Sequence, residues 1–159
     1  MLREVMTGVA AGAVGTSVLN IVTYADMALR GRPASSSTSQ LVGTVGDKLG
    51  VESLGSQSAG DDSTAENRRS GLGSLSGYVV GLGVGGIYGL VGDQLRSVPL
   101  GAKAVALGAI AMAASDTPLA TLGINDPRTW GAADWASDVV PHLAYGLFTA
   151  LAYDSFGRD

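Results

Sequence analysis

The chain has 159 residues, 46% hydrophobic and 15% charged, with 24 glycines, one histidine, no cysteine and a net charge of −4. The missing cysteines exclude disulfides, thiolate metal sites and thiol nucleophiles, and a single histidine excludes a multi-histidine metal site. The acidic balance gives no basic face for nucleic acid, and the length allows one domain or about four membrane spans of roughly 20 residues each.

Mean hydropathy of +0.27 suits either water or lipid. The clustering of charge decides between them, because long uncharged stretches separate a few charged ones. The first such stretch, Val5 to Ala25, follows Met-Leu-Arg-Glu. It is longer than the apolar core of a secretory signal and is read as a genuine span, at about residues 3–29. Gly8, Gly12 and Thr16 recur every fourth residue, and Asn20 and Tyr24 continue the stripe. Asp26 and Arg30 are spaced to pair on the helix surface near the headgroups, and Gly31 then Pro33 supply a stop.

Residues 33–69 form a polar connection too long for an idle turn. Ser37-x-x-Gln40 reads as a capping box opening a short amphipathic helix with Leu41, Val42, Val45 and Leu49 on one face and Gly50 at its end. Such a helix suits the interface or the end of a bundle. Gly55 to Ser63 is loop-like, and Ser63-x-x-Glu66 is a second capping box, so the next helix can begin in water. A solvated linker is the plainer reading of the whole connection.

The second span, about residues 70–92, is uncharged from Ser70 to Gly92. Gly73, Gly77, Gly81, Gly85 and Gly89 fall every fourth residue. In water each such glycine weakens a helix by about 1 kcal/mol, whereas in lipid small residues let helix backbones approach and associate. Gly81 to Gly86 also matches G-x-G-x-x-G. No strand precedes it, and the spacing of glycines continues on both sides, so the match does not carry a nucleotide site. Asp93, Gln94 and Arg96 make a short connection. The third span, about 98–122, opens on Ser97 and Pro99 as cap and first turn. It holds Lys103 near one end, whose stem is long enough to snorkel, and Asp116-Thr117-Pro118 deep within it. Asn125-Asp126-Pro127 is turn chemistry, Trp130 and Trp135 suit an interfacial aromatic belt, and the fourth span covers about 134–156, where His142, Gly146 and Ala150 repeat the small-residue spacing. Together these elements predict an all-α integral membrane bundle of four transmembrane helices, with the short amphipathic helix in its first connection. With both termini on one side, six basic residues sit with the first connection against four with the termini, a small bias that favours a cytoplasmic connection and leaves the orientation open.

Asp116, Asp138 and His142 are the candidate site. Asp138 and His142 share a helix face, ionisable groups at membrane depth usually face a protein interior or a wet cavity, and Pro118 and Pro141 beside them each free a carbonyl. Asn20, on the first stripe, is placed to join them. One reading is a proton or ion relay, or a small-solute site, in a channel or transporter. The plainer one is that Asp138 caps the fourth span with Ser137, Asp116 ends a short third span, and His142 only bonds a neighbouring carbonyl. No nucleophile elbow or triad spacing is visible, so no enzyme and no cofactor are implied. The glycines at 8, 12, 73, 77, 81, 85, 89 and 146 are expected to pack helices, within the chain or between copies. A structural or accessory subunit, a homo-oligomer or part of a larger membrane complex, is the first function reading. The transporter is the second, and a soluble glycine-rich nucleotide-binding domain is a third.

Asn20, Tyr24-x-Asp26, the Arg30-x-Arg32-Pro33 stop, the glycine-rich second span ending in Tyr-Gly, and His142-x-x-Tyr145-Gly146 with Tyr153-Asp154 resemble the small YagU-like bacterial inner-membrane proteins. The resemblance spans most of the chain outside the long polar connection. It implies a polytopic protein of the inner, cytoplasmic membrane and leaves the activity open.

Overall fold

A computed structural model describes residues 1–54 and 63–157 of the chain. Among the described residues, five α-helices carry the fold: α1 (Leu2–Arg30), α2 (Ser37–Leu49), α3 (Ser63–Val91), α4 (Leu100–Thr121) and α5 (Ala132–Phe156), with a 3-10 turn at Pro127–Thr129 before α5. No strand occurs among the described residues. Three of the helices, α1, α3 and α4, are long and apolar enough to cross a membrane. At 1.5 Å per residue, α1 and α3 are each about 43 Å long and α4 about 33 Å, against about 30 Å of hydrocarbon.

Helix ends follow local chemistry. Gly31 and Gly50 close α1 and α2 in the left-handed conformation, at φ 63° and 67°, which costs glycine nothing sterically. The start of α2 differs from expectation by one residue. Ser36 is the N-cap, and Gln40 Nε2 donates to Ser36 Oγ at 2.8 Å. Helix α3 starts at Ser63, well before the uncharged run, because Glu66 and Arg69 pair along its first turns at 2.9 Å. Residues 55–62 of the loop-like stretch lie outside the described residues. Pro99 precedes α4 rather than entering its first turn. Gly131, not Ser137 or Asp138, caps α5, with its N–H donating to Asp134 Oδ2 at 3.0 Å.

Helix α1 lies between α3 and α5, and α4 packs on α5. The pairs run antiparallel. Gly8 and Gly12 of α1 meet Gly89, Gly85 and Gly81 of α3 in descending order. Gly15 faces Tyr145 and Thr149 of α5, while Asp26 reaches back to Ser137. Gly108 of α4 faces His142 of α5, and Lys103 pairs with Asp154. Both chain termini and the α3–α4 connection therefore share one end of the bundle. The opposite end carries α2, which packs along α3, and the α4–α5 turn.

Glycine makes these approaches possible. A Cβ on Gly12 would lie 2.5 Å from Gly81 O, one on Gly85 2.7 Å from Gly12 Cα, and one on Gly108 2.6 Å from His142 O. Gly8, Gly89 and Gly146 likewise abut neighbouring backbone, and Gly81 abuts the Thr16 side chain. Gly73 packs against Thr38 and Ser39 of α2 rather than against α1. Gly77 departs from the expected packing role, since nothing stands within 4 Å of its Cβ direction. The helices have parted there, and the space they leave is a cavity.

Two tyrosines of α5 tie it to α3 across the bundle. Tyr145 donates to Gly81 O at 2.6 Å and Tyr153 to Gly89 O at 3.2 Å, with Tyr88 edge-on to Tyr153 at 5.0 Å. These rings join Ala11, Val84, Leu107, Ala111 and Ala150 in the core. Tyr145→Phe is expected to lower stability by about 1–2 kcal/mol, the cost of leaving a buried acceptor short of its donor. Tyr24→Phe, with Tyr24 62% exposed, should change it little, and thermal melting of both variants in detergent checks the difference.

Outside the core, the long helices present large apolar side chains outward: Ile21 on α1, Val79 and Ile87 on α3, Val105 and Ile110 on α4.

Candidate functional site

Beyond the point where α1 and α3 part, the bundle holds a partly open cavity of about 960 Å³. Its deep wall is Thr16, Gly81, Ala111 and Tyr145, one from the middle of each long helix. Its outer wall includes Arg30, Arg32, Ser35, Thr129 and Trp130, at the end that carries the first connection and the α4–α5 turn. The cavity thus reaches from that end to the middle of the bundle, as a half-depth vestibule. The Tyr145–Gly81 hydrogen bond is part of its floor, and the Tyr88–Tyr153 pair of the core stands beyond.

Asn20, Asp116, Asp138 and His142 all line this cavity. Asp116 does not end a short helix, because α4 continues through Pro118 to Thr121. Asp138 lies well inside α5, and the helix likewise runs on through Pro141. Each proline removes one helical N–H, leaving the carbonyls of Ala114 and Ser137 without their usual partners. His142 Nδ1 lies 2.8 Å from the carbonyl of Asp138 and 3.4 Å from its Oδ1. A proton on Nδ1 satisfies that carbonyl and leaves Nε2 as the other ring nitrogen. The Asp116 and Asp138 carboxyls are neighbours across the α4–α5 interface. Asp138 Oδ2 is sealed from the surface without a hydrogen-bond partner. Asn20 Nδ2 donates to Tyr78 Oη at 3.4 Å, linking α1 to α3 across the cavity wall.

The mouth is organised by charge. Asp26 accepts from Arg30 and Arg32, with ion-pair distances of 2.7 and 2.6 Å. Arg30 also donates to Ser137, fastening the end of α1 to α5. Nearby, Asp126 caps the 3-10 turn by accepting from the Arg128 N–H at 3.0 Å and from its guanidinium at 2.9 Å. These bonds hold the Asp126 carboxyl below its ordinary 3.8. A lowered folded value means the contribution is present above 3.8 and lost as pH falls through the folded value. A carboxyl-detected NMR titration is therefore expected to show Asp126 protonating below 3.8, and Arg128→Ala should return it to the ordinary range.

Sequence reasoning missed the mouth residues Arg32, Ser137 and Asp134, and also the lining hydroxyls of Ser74, Ser115 and Tyr78. Ser74 to Tyr78 and Ser115 to Asp116 interrupt apolar runs with polar side chains inside predicted spans, a signal that was available. Lys103, expected to snorkel, is instead buried and paired with Asp154 at 2.8 Å, at the end opposite the mouth. No group of three or more His, Cys, Asp or Glu stands ready for a metal among the described residues. The fold and site thus define an all-helical bundle with long apolar helices and a partly open cavity lined by both polar and apolar side chains. Comparison with protein-family models, curated proteins and solved structures finds no match.

Proposed function

We propose that the protein is a multi-pass protein of the cytoplasmic membrane, with α1, α3, α4 and α5 as spans, whose vestibule admits a small polar solute or ion for transfer. One observation carries this reading: Asn20, Asp116, Asp138 and His142, from three helices, line a single cavity that reaches the middle of the bundle. Polar groups at that depth are retained where they face a wet or ligand-filled space. The volume also falls within the range of about 300–1,000 Å³ typical of small-molecule sites.

Helix α5 is not among the three helices marked by sustained apolar length, and the placement of its polar residues supports a span. Asp134, Asp138, Pro141 and His142 face the cavity, and Asp154 pairs with Lys103, while Val140, Leu143, Phe148 and Leu151 point outward. Polar residues inward and apolar residues outward is the arrangement lipid requires. The accessory or oligomeric role is less favoured, since the glycines at 8, 12, 81, 85, 89 and 146 are already occupied within the chain. No enzymatic step and no cofactor enter the reading. The excess of basic residues at the mouth end favours a cytoplasmic mouth. Passage across the membrane requires the Tyr145–Gly81 contact to open. Kinship with the YagU-like proteins belongs to the same proposal, resting on Asn20, Tyr24, Asp26, His142 and Tyr145.

The absence of cysteine makes single-cysteine labelling free of background. In vesicles, a membrane-impermeant thiol reagent is expected to modify Ser115→Cys from one side only and to leave Ala150→Cys, wholly buried, unmodified. A Ser115→Cys variant that stays unreactive from both sides would remove the vestibule.

A further inference from the structure

We propose that the vestibule is a binding site for a small organic cation, a primary amine or quaternary ammonium, seated against Asp116. This deepens the vestibule reading and rests on it.

Charge is the first support. The lysines and arginines on the cavity wall are Arg30 and Arg32, and Asp26 holds both near the mouth. On the other elements, α2 and its approach contribute hydroxyls (Ser35, Ser37, Thr38) and α3 contributes Ser74 and Tyr78. The carboxylates are Asp134, Asp116 and Asp138, and His142 is the remaining titratable base. Asp134 is already used at the start of α5, and the His142 Nδ1 edge turns to the Asp138 carbonyl. At depth, therefore, two neighbouring carboxyls face a space with no lysine or arginine of their own. A cavity so charged attracts cations and excludes anions.

Size and lining then select among cations. A dehydrated metal ion needs several oxygen or nitrogen ligands closing on it, but no such cluster stands here among the described residues and the space is about 960 Å³. Tyr78, Trp130 and Tyr145 line the same space, and aromatic faces within about 6 Å of an ammonium group attract it. Thr16, Thr23 and Ser115 add hydroxyl acceptors for N–H donors. Carboxylate, aromatic face and hydroxyl together match the surface of an alkylammonium ion better than that of a neutral polyol.

The test uses the full chain in detergent and in vesicles, with ethylammonium and tetramethylammonium chloride as probes. Sodium chloride at equal ionic strength, glycerol and sodium phosphate are the comparisons. Calorimetry is expected to give saturable binding of at least one ammonium probe and of none of the comparisons. Asp116→Asn is expected to weaken that binding at least tenfold, and Asp116→Glu to keep most of it. In the Ser115→Cys variant, whose Asp116 is intact, the bound ammonium should slow thiol labelling several-fold. Labelling of that variant without protection by either probe would overturn the cation proposal and leave the vestibule standing. Equal binding of glycerol, or ammonium binding indifferent to Asp116→Asn, would overturn it as well. A Ser115→Cys variant that never labels would overturn both readings.

Discussion

Gly85→Ala is expected to destabilise the bundle while Gly77→Ala, two turns earlier on α3, is not. The two substitutions are chemically identical, and the same glycine spacing contains both positions. At Gly85 the added methyl would meet the backbone of Gly8 and Gly12, with Gly12 Cα at 2.7 Å. Backbone cannot turn aside as a flexible side chain can, so α1 and α3 must separate. Overpacking of this kind costs about 1–3 kcal/mol, and leucine at the same position should abolish the fold. At Gly77 nothing lies within 4 Å, and alanine instead brings its higher helix propensity. Melting by circular dichroism in one detergent, with both variants beside the parent, decides the matter. Equal loss at both sites would mean that the α1–α3 contact is not where the structure has it.

The second large effect is expected at the opposite end of the bundle. Lys103 keeps only 3% of its side chain exposed and reaches Asp154 across the α4–α5 interface at 2.8 Å. Removing one member of a buried pair leaves the other charge uncompensated, at a cost of about 3–5 kcal/mol. Replacing both by apolar residues of similar volume is commonly neutral or better. Asp154→Leu alone should therefore lower stability sharply, and Lys103→Met with Asp154→Leu should recover most of the loss. Asp154 is about a third exposed, which puts its single substitution toward the lower end of that range. A double variant no more stable than Asp154→Leu would show that the carboxylate does something other than balance Lys103.

Much of this architecture was legible in the sequence because lipid-scale helices announce themselves through uncharged length. The runs from Val5, Ser70 and Val139 fall inside α1, α3 and α5, and Gly50 closes α2 as its position suggests. The charged first turns of α3 were legible from a different signal, the Ser63-x-x-Glu66 capping box, which opens the helix at Ser63 ahead of the uncharged run. The fate of each glycine was hidden. Spacing fixes the face of a helix but not where its neighbour crosses, so Gly81 and Gly85 touch α1, Gly73 touches α2, and Gly77 touches nothing. Gly15 and Gly108, which also carry close approaches, lie outside the spacing first noticed.

The candidate site was legible as a set of residue types and not as a place. Asp138 and His142 share a helix face by arithmetic, but Asp116 is on another helix. Its meeting with them depends on how α4 packs against α5. The Lys103–Asp154 pair has the same character, joining residues 51 apart. One signal was available and passed over. Tyr145 and Tyr153 are eight residues apart on α5, as Gly81 and Gly89 are on α3. Each tyrosine bonds the carbonyl of its glycine, a register that fixes two helices running in the same direction.

Four crossings are the premise of the whole account, and sidedness tests them directly. Single cysteines replace exposed Ala34, Ser97, Ala133 and Ser155 in turn, and an impermeant thiol reagent is applied to sealed vesicles of known orientation. The account predicts that Ala34→Cys and Ala133→Cys react from one side and Ser97→Cys and Ser155→Cys from the other. Reaction of Ala133→Cys and Ser155→Cys from the same side would remove α5 from the membrane, and reaction of all four from one side would remove the bilayer altogether.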